Sequence, residues 1–376
     1  MNFKIKLIAM TIVFLAFLFL SSGVYAAFGE EEMGYLNDVE DSFDDAINNE
    51  AREYLENNDI RLDENISNQL TFKEILKGFL QTLSGGIKGA VTLAGTLLAV
   101  IVICAMTDSM YSKNNEVSSV LELVGVMAVI GILFSRILQT IEYISTTIND
   151  IGKFMLTYVP VFASIIGSSG SVSSATSYYV TLIAIAEISS LVAMNVLMPV
   201  LSILLALSII GSINSALSFS AVIESVKKGF LWIVGLIMTI FVGSITIQGI
   251  VGVSADTVST KAAKFMLSSF VPIVGSAISD AYQTVKGSLG LIRSCVGSFG
   301  IVAVLAMIIP PLVNILTVKI SLAFSSVISD ILGVNKVSSV LKSSSTVLTL
   351  AMALLLCMGL MLIISTTVMM LVCINL

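Results

Sequence analysis

The sequence predicts an all-α fold: a polytopic helical membrane protein with an internally duplicated helical unit, fronted by a small acidic helical segment. Three observations carry this. The chain is 56% hydrophobic and only 12% charged, against about 25% charged in a soluble domain. Apolar runs near the ~20 residues that cross a ~30 Å hydrocarbon core recur after residue 86. A long stretch is also repeated: Lys153-Phe154-Met155-Leu156, Pro160 and Pro199 return as Lys264-Phe265-Met266-Leu267, Pro272 and Pro311. The two proline pairs keep the same offset, and they are four of the five prolines in the chain. Asn115-Glu116-Val117-Ser118-Ser119-Val120-Leu121 likewise returns as Asn335-Lys336-Val337-Ser338-Ser339-Val340-Leu341, with a looser copy at 221–227. In an apolar chain, self-similarity at a fixed period points to a membrane domain built from repeats.

Residues 1–26 have the three parts of a signal peptide. Lys4 and Lys6 form a basic start, Leu7 to Leu20 an apolar core, and Val24-Tyr25-Ala26-Ala27 a small-residue cleavage site. The alternative is an uncleaved first transmembrane helix; the short core and the abrupt acidic turn after Ala27 favour cleavage. Residues 27–80 form an acidic extracytoplasmic segment, with 15 acidic residues against four basic ones over 28–80. Leu36, Val39, Phe43, Ala46 and Ile47 recur there at helical spacing, as do Leu70, Ile75, Leu76 and Phe79. These predict short amphipathic helices, too small to build much core alone. Two uses fit, a solvated acidic linker or a docking segment whose charge selects its partner.

The multi-span domain occupies 81–376. Its first span runs over about 87–106, opened by Gly85, Gly86 and Gly89, small residues that permit close helix approach. The repeats cover about 115–217 and 222–328, and each predicts four elements: 120–141, 154–170, 178–198 and 200–217, then 230–252, 265–281, 295–310 and 312–328. A final span lies at about 345–373. Four crossings per unit make the repeats parallel, whereas a second element that only dips into the membrane leaves three crossings and inverts them. With the N-terminal segment outside, most lysines of the alternate loops fall inside, a modest positive-inside bias.

The second elements, 154–170 and 265–281, are short, carry Pro160 or Pro272, and lead into Gly/Ser-rich sequence in the first copy. Proline removes a donor and breaks the i to i−4 ladder, and broken backbone at membrane depth is tolerated only against protein or water. Discontinuous helices at matching repeat positions therefore mark a candidate transport pathway. The competing reading is an interfacial amphipathic helix with Lys153 and Lys264 reaching headgroups. Glu187 and Lys319 lie inside predicted spans, where a charge costs roughly 2.5–3.5 kcal/mol and so turns toward protein or water; the two could pair across the repeats, and one acid with one base suits a structural role rather than a proton relay. The candidate pathway residues and repeat hallmarks are thus Pro160, Pro199, Pro272, Pro311, Lys153, Lys264, Glu187 and Lys319. Asp108, Asp256, Asp280 and Asp330 fall near predicted span ends and suit a helix cap or a loop.

Enzyme chemistry is disfavoured. The chain has no histidine, which removes the commonest general base and metal ligand. Its four cysteines show no Cys-x-x-Cys spacing, and no nucleotide loop or metal motif is present. No cofactor, metal or nucleic-acid partner is expected; membrane lipid is, and a homo-oligomer stays open.

The run from Ala255 to Gly275 (ADTVSTKAAKFMLSSFVPIVG) resembles the signature stretch of the stage III sporulation protein AE family, and the overall layout is similar along the chain. The resemblance implies a protein of the mother-cell membrane that engulfs the forespore in endospore-forming bacteria. It implies membership of the multi-protein channel, or feeding tube, joining the two cells, possession of the conducting role being one form of that membership. The implied partners are the other stage III A proteins and, across the intermembrane space, stage II sporulation protein Q. It supplies no catalytic or ligand residues. The alternative function is a stand-alone permease for a small solute, with the proline-broken helices as its site.

Overall fold

The computed structural model describes residues 36, 39–43, 46–57, 60–62, 72–111, 115–213, 220–270 and 275–372. Residues 1–26, expected to form a signal peptide, and Pro272 lie outside them. The described residues form helices and turns, with no strand among them. In chain order the helices are α1 (Asn49–Asn57), α2 (Phe72–Tyr111), α3 (Asn115–Ser168), α4 (Val172–Val192), a π-helical turn (Ala193–Leu197), α5 (Met198–Ile213), α6 (Ser220–Phe270), α7 (Gly275–Ile331) and α8 (Asn335–Val372). Among the described residues six segments are long and apolar enough to cross a membrane. The protein is a multi-pass helical membrane protein.

The elements expected to be separate are joined. Segments 120–141 and 154–168 belong to one helix, α3, which runs through Pro160. Segments 178–198 and 200–213 follow one another through the π turn. In the second copy, 230–252 and 265–270 fall within α6, while 275–281, 295–310 and 312–328 fall within α7, which runs through Pro310 and Pro311. Both stretches expected to be repeats are therefore built from long helices rather than four short spans. At ~1.5 Å per residue, the 54 residues of α3 extend about 80 Å, far beyond a ~30 Å hydrocarbon layer. The expectation of a break at Pro160 is corrected: continuous turns on both sides hold the helix, and only the local hydrogen bond is lost.

The hairpin of α7 and α8 is the centre of the bundle. Their apolar windows are 78% and 83% buried, against 11% for α2 and 22% for α6. Lipid tails are as apolar as leucine, so what selects the centre is close packing at small residues. Gly359 meets Ile308, Gly297 meets Met370 and Gly300 meets the ring of Tyr158. On the α2 side Gly86 accepts Thr317 and Ser321 donates to the Ala90 carbonyl at 2.8 Å. The turn between α7 and α8 is a Schellman motif. The Val334 N–H bonds Ser329 and the Gly333 N–H bonds Asp330, with Gly333 at φ +80°, the left-handed position a glycine takes without Cβ strain. Gly170, at φ +93°, closes α3 in the same manner.

The acidic segment docks on the bundle. Leu36, Val39, Phe43, Ile47, Ala51, Leu55 and Leu62 are all buried. The helical spacing seen at Leu36–Ile47 thus marks a packed face, and the linker reading gives way. Asn48 caps α1, its side-chain oxygen accepting the Ala51 N–H at 2.9 Å. Phe43 enters an aromatic cluster with its ring 5.4 Å from Tyr158, 5.8 Å from Phe299 and 6.1 Å from Phe154. The Tyr143 hydroxyl donates to the Glu50 carboxylate, tying α1 to α3.

Candidate functional site

Residues 149–162 of α3 show two different faces. Phe154, Tyr158 and Phe162, four residues apart, stack successively at 5.3 Å and turn toward the acidic segment and α7. On the other face Asn149, Gly152, Lys153 and Leu156 border a groove of about 400 Å³. Its opposite wall comes from the antiparallel partner, with Glu187, Ser190 and Leu191 of α4 and Met194 and Asn195 of the π turn. Gly152 lets the walls approach, since a Cβ there would come within 3.3 Å of the Ser190 hydroxyl.

Both walls carry altered backbone. Pro160 has no N–H for the Leu156 carbonyl one turn earlier. In the other wall the Met198 N–H reaches back five residues to the Ala193 carbonyl, and the next residue, Pro199, has no N–H at all. The helical ladder therefore gives the Met194 carbonyl no donor. Leu156 and Met194 both line the groove. A proline-associated π turn is a recurrent feature of functional helices.

The charges are placed with equal economy. Lys153 and Glu187 line the same groove on opposite walls. The described ion pair of Lys153 is with Asp150 on its own helix, 3.5 Å away at a side chain 64% exposed, a setting in which a pair contributes about 0–1 kcal/mol. Glu187 is exposed and forms no ion pair among the described residues. Lys153 also borders a second groove, of about 420 Å³, whose other wall includes Ser42, Asn48 and Asn49 of the acidic segment.

Of the residues singled out from sequence, the structure brings Lys153 and Glu187 together in this groove; Pro160 and Pro199 lie four residues beyond the lining residues Leu156 and Asn195 on their own helices and do not line it. Lys319 stands apart, half-buried on α7, and no ion pair joins it to Glu187, so a pair across the repeats is not formed. Pro311 is buried inside α7 whereas Pro199 is exposed beside the π turn. Lys264 lies in α6, its side chain outside the description. Sequence reasoning missed Asn149, Ser190 and Asn195. The available signal was their spacing, for Asn195 lies one turn before Pro199.

A second polar device sits at the end of the α3–α4 hairpin. Asp256 of α6, 2% exposed, accepts the Ser173 and Ser174 backbone N–H groups of α4 through its two oxygens, each at 2.9 Å. Ser171, at the N-cap position, makes no side-chain cap bond. The cap expected of Asp256 is present, but it serves a different helix from its own. Among the described residues no group of three potential metal-ligating side chains occurs.

The fold and this site define a multi-pass helical membrane protein with a mixed-charge groove between two antiparallel helices. The chain belongs to the stage III sporulation protein AE family, whose family model matches residues 60–373. It is 23% identical over 263 residues to stage III sporulation protein AE of Bacillus subtilis (strain 168), covering 69% of this chain and 66% of that relative. No solved structure matches it.

Proposed function

We propose that this sporulation protein is a membrane component, and the conducting part, of the channel complex between mother cell and forespore. The family supplies the sporulation role. The observation that favours conduction is the α3–α4 groove, lined by Lys153 and Glu187 and by Leu156 and Met194, two residues whose carbonyls the prolines deprive of a helical donor. Polar backbone and charge inside apolar helices are costly unless they face water, protein or a solute. In this reading the mother-cell membrane around the forespore is its location, and the acidic segment faces the intermembrane space. Other stage III A proteins and stage II sporulation protein Q are its partners. The docked segment supports the arrangement by presenting exposed carboxylates from an anchored scaffold.

Affinity purification of the tagged chain from sporulating cells tests membership. Recovery of the other stage III A proteins is the expected result. Recovery of the chain alone, together with solute uptake in vesicles, would instead establish the stand-alone permease.

A further inference from the structure

We propose that the α3–α4 groove is a binding site for a small zwitterion bearing a primary ammonium and an acidic group, the chemistry of an amino acid or of an ethanolamine phospholipid headgroup. The proposal gives the conduction reading a ligand class, and it can fail separately.

Lys153 and Glu187 present opposite charges from opposite walls without bonding each other. A ligand carrying both charges satisfies both walls at once, whereas a simple anion or cation meets one partner and one like charge. An ammonium has three donors. The Glu187 carboxylate and the ladder-free carbonyls of Leu156 and Met194 offer acceptors for them. The acidic end falls to Lys153, which shares its exposed 3.5 Å pair with Asp150 to receive it, with the amide groups of Asn149 and Asn195 as further donors. Leu191 and the Met194 side chain supply apolar surface for the remainder of the ligand. The groove, about 400 Å³, accommodates a molecule of amino-acid size.

Full-length protein in nanodiscs of phosphatidylglycerol alone, and in discs that add phosphatidylethanolamine, provides the test. Binding of each radiolabelled L-amino acid is measured by equilibrium filtration, and retained lipid by native mass spectrometry. Saturable binding of at least one amino acid in both discs, weakened tenfold or more by Glu187→Gln and by Lys153→Gln, identifies a free solute. Retention of phosphatidylethanolamine that Glu187→Gln abolishes, without amino-acid binding, identifies the headgroup. Both charge positions are exposed, and an unchanged circular-dichroism melt confirms that the variants fold; Lys261→Gln, exposed on α6, is the remote control. Should a charge variant melt early, Asn195→Ala, also exposed, takes its place. Absence of both binding modes, or binding equal in wild type and folded variants, overturns the proposal. Neither result alters whether the chain co-purifies with its sporulation partners.

Discussion

Asp256 and Ser174 are 82 positions apart in the chain, yet the Asp256 carboxylate accepts the Ser174 N–H at 2.9 Å and closes the start of α4. The second oxygen takes the Ser173 N–H, so two donors left over at the helix start are satisfied by one buried anion placed at the positive end of the helix dipole. Gly252, one turn earlier on α6, makes room, since a Cβ there would lie 2.8 Å from the Ser174 Cα. The joint holds the α3–α4 hairpin, and with it the groove, against α6.

Asp256→Ala is expected to lower stability by about 1–3 kcal/mol, the cost of orphaning buried donors. Asp256→Asn keeps one acceptor and falls between Ala and wild type. Thermal melts of the purified protein in detergent measure both. A melt unchanged by Asp256→Ala would mean that water caps α4 equally well.

Phe43→Ala should release the acidic segment while leaving the bundle folded. The ring is fully buried among Phe154, Tyr158 and Phe299, and Phe→Ala in such a site costs about 3–5 kcal/mol. That loss falls on a small docked unit whose other anchors are the buried Leu36, Val39, Ile47, Ala51, Leu55 and Leu62. Hydrogen exchange should accelerate in α1 and stay slow in α7 and α8. Uniform acceleration throughout would show that the segment is part of one cooperative core.

Much of this architecture is legible from residues alone, because bilayer physics leaves few choices. Apolar length marked the chain as a multi-pass helical membrane protein, though not its six spans, and the helical spacing of Leu36, Val39, Phe43 and Ile47 marked an amphipathic face that the structure buries. The merging of spans was not legible. A proline argues for a break, but whether α3 stops at Pro160 depends on the packing of the turns on both sides, which period and composition do not encode. Partner choice was hidden for the same reason. Glu187 and Lys319 are both charges within apolar runs, and only the register of α4 against α3 brings Glu187 to Lys153. Asp256 was legible as a cap, but its distant target was not.

Gly333→Ala should cost about 1 kcal/mol, since alanine at φ +80° is strained where glycine is not. Lys342→Ala breaks a 2.7 Å ion pair to Asp330 across the same turn, but the two side chains are 59% and 42% exposed. Such a solvent-exposed pair contributes little, and what it contributes shrinks with added salt. Melts of the two variants at low and high salt separate them: the glycine effect is salt-independent, the lysine effect is not. A salt-sensitive loss in Gly333→Ala would relocate its cause from backbone to charge.

The double variant Pro160→Ala, Pro199→Ala is the sharpest test of the groove, because it sets stability and function in opposition. Each alanine restores a backbone N–H and supplies a donor that the helical ladder lacks at this point. Intrinsic helix preference alone favours alanine by roughly 3 kcal/mol per interior site. The folded protein should therefore melt at the same temperature or higher, and membrane insertion should be intact. If the released carbonyls of Leu156 and Met194 serve solute or water, however, sporulation should fall because those acceptors are now occupied. A purely structural role for the two prolines predicts a stable protein and normal forespore development. Spore counts from the native host carrying the double variant, read beside its melt, decide between them. Normal counts with a raised melt would sink the pathway reading and leave the π turn as an accommodation to packing.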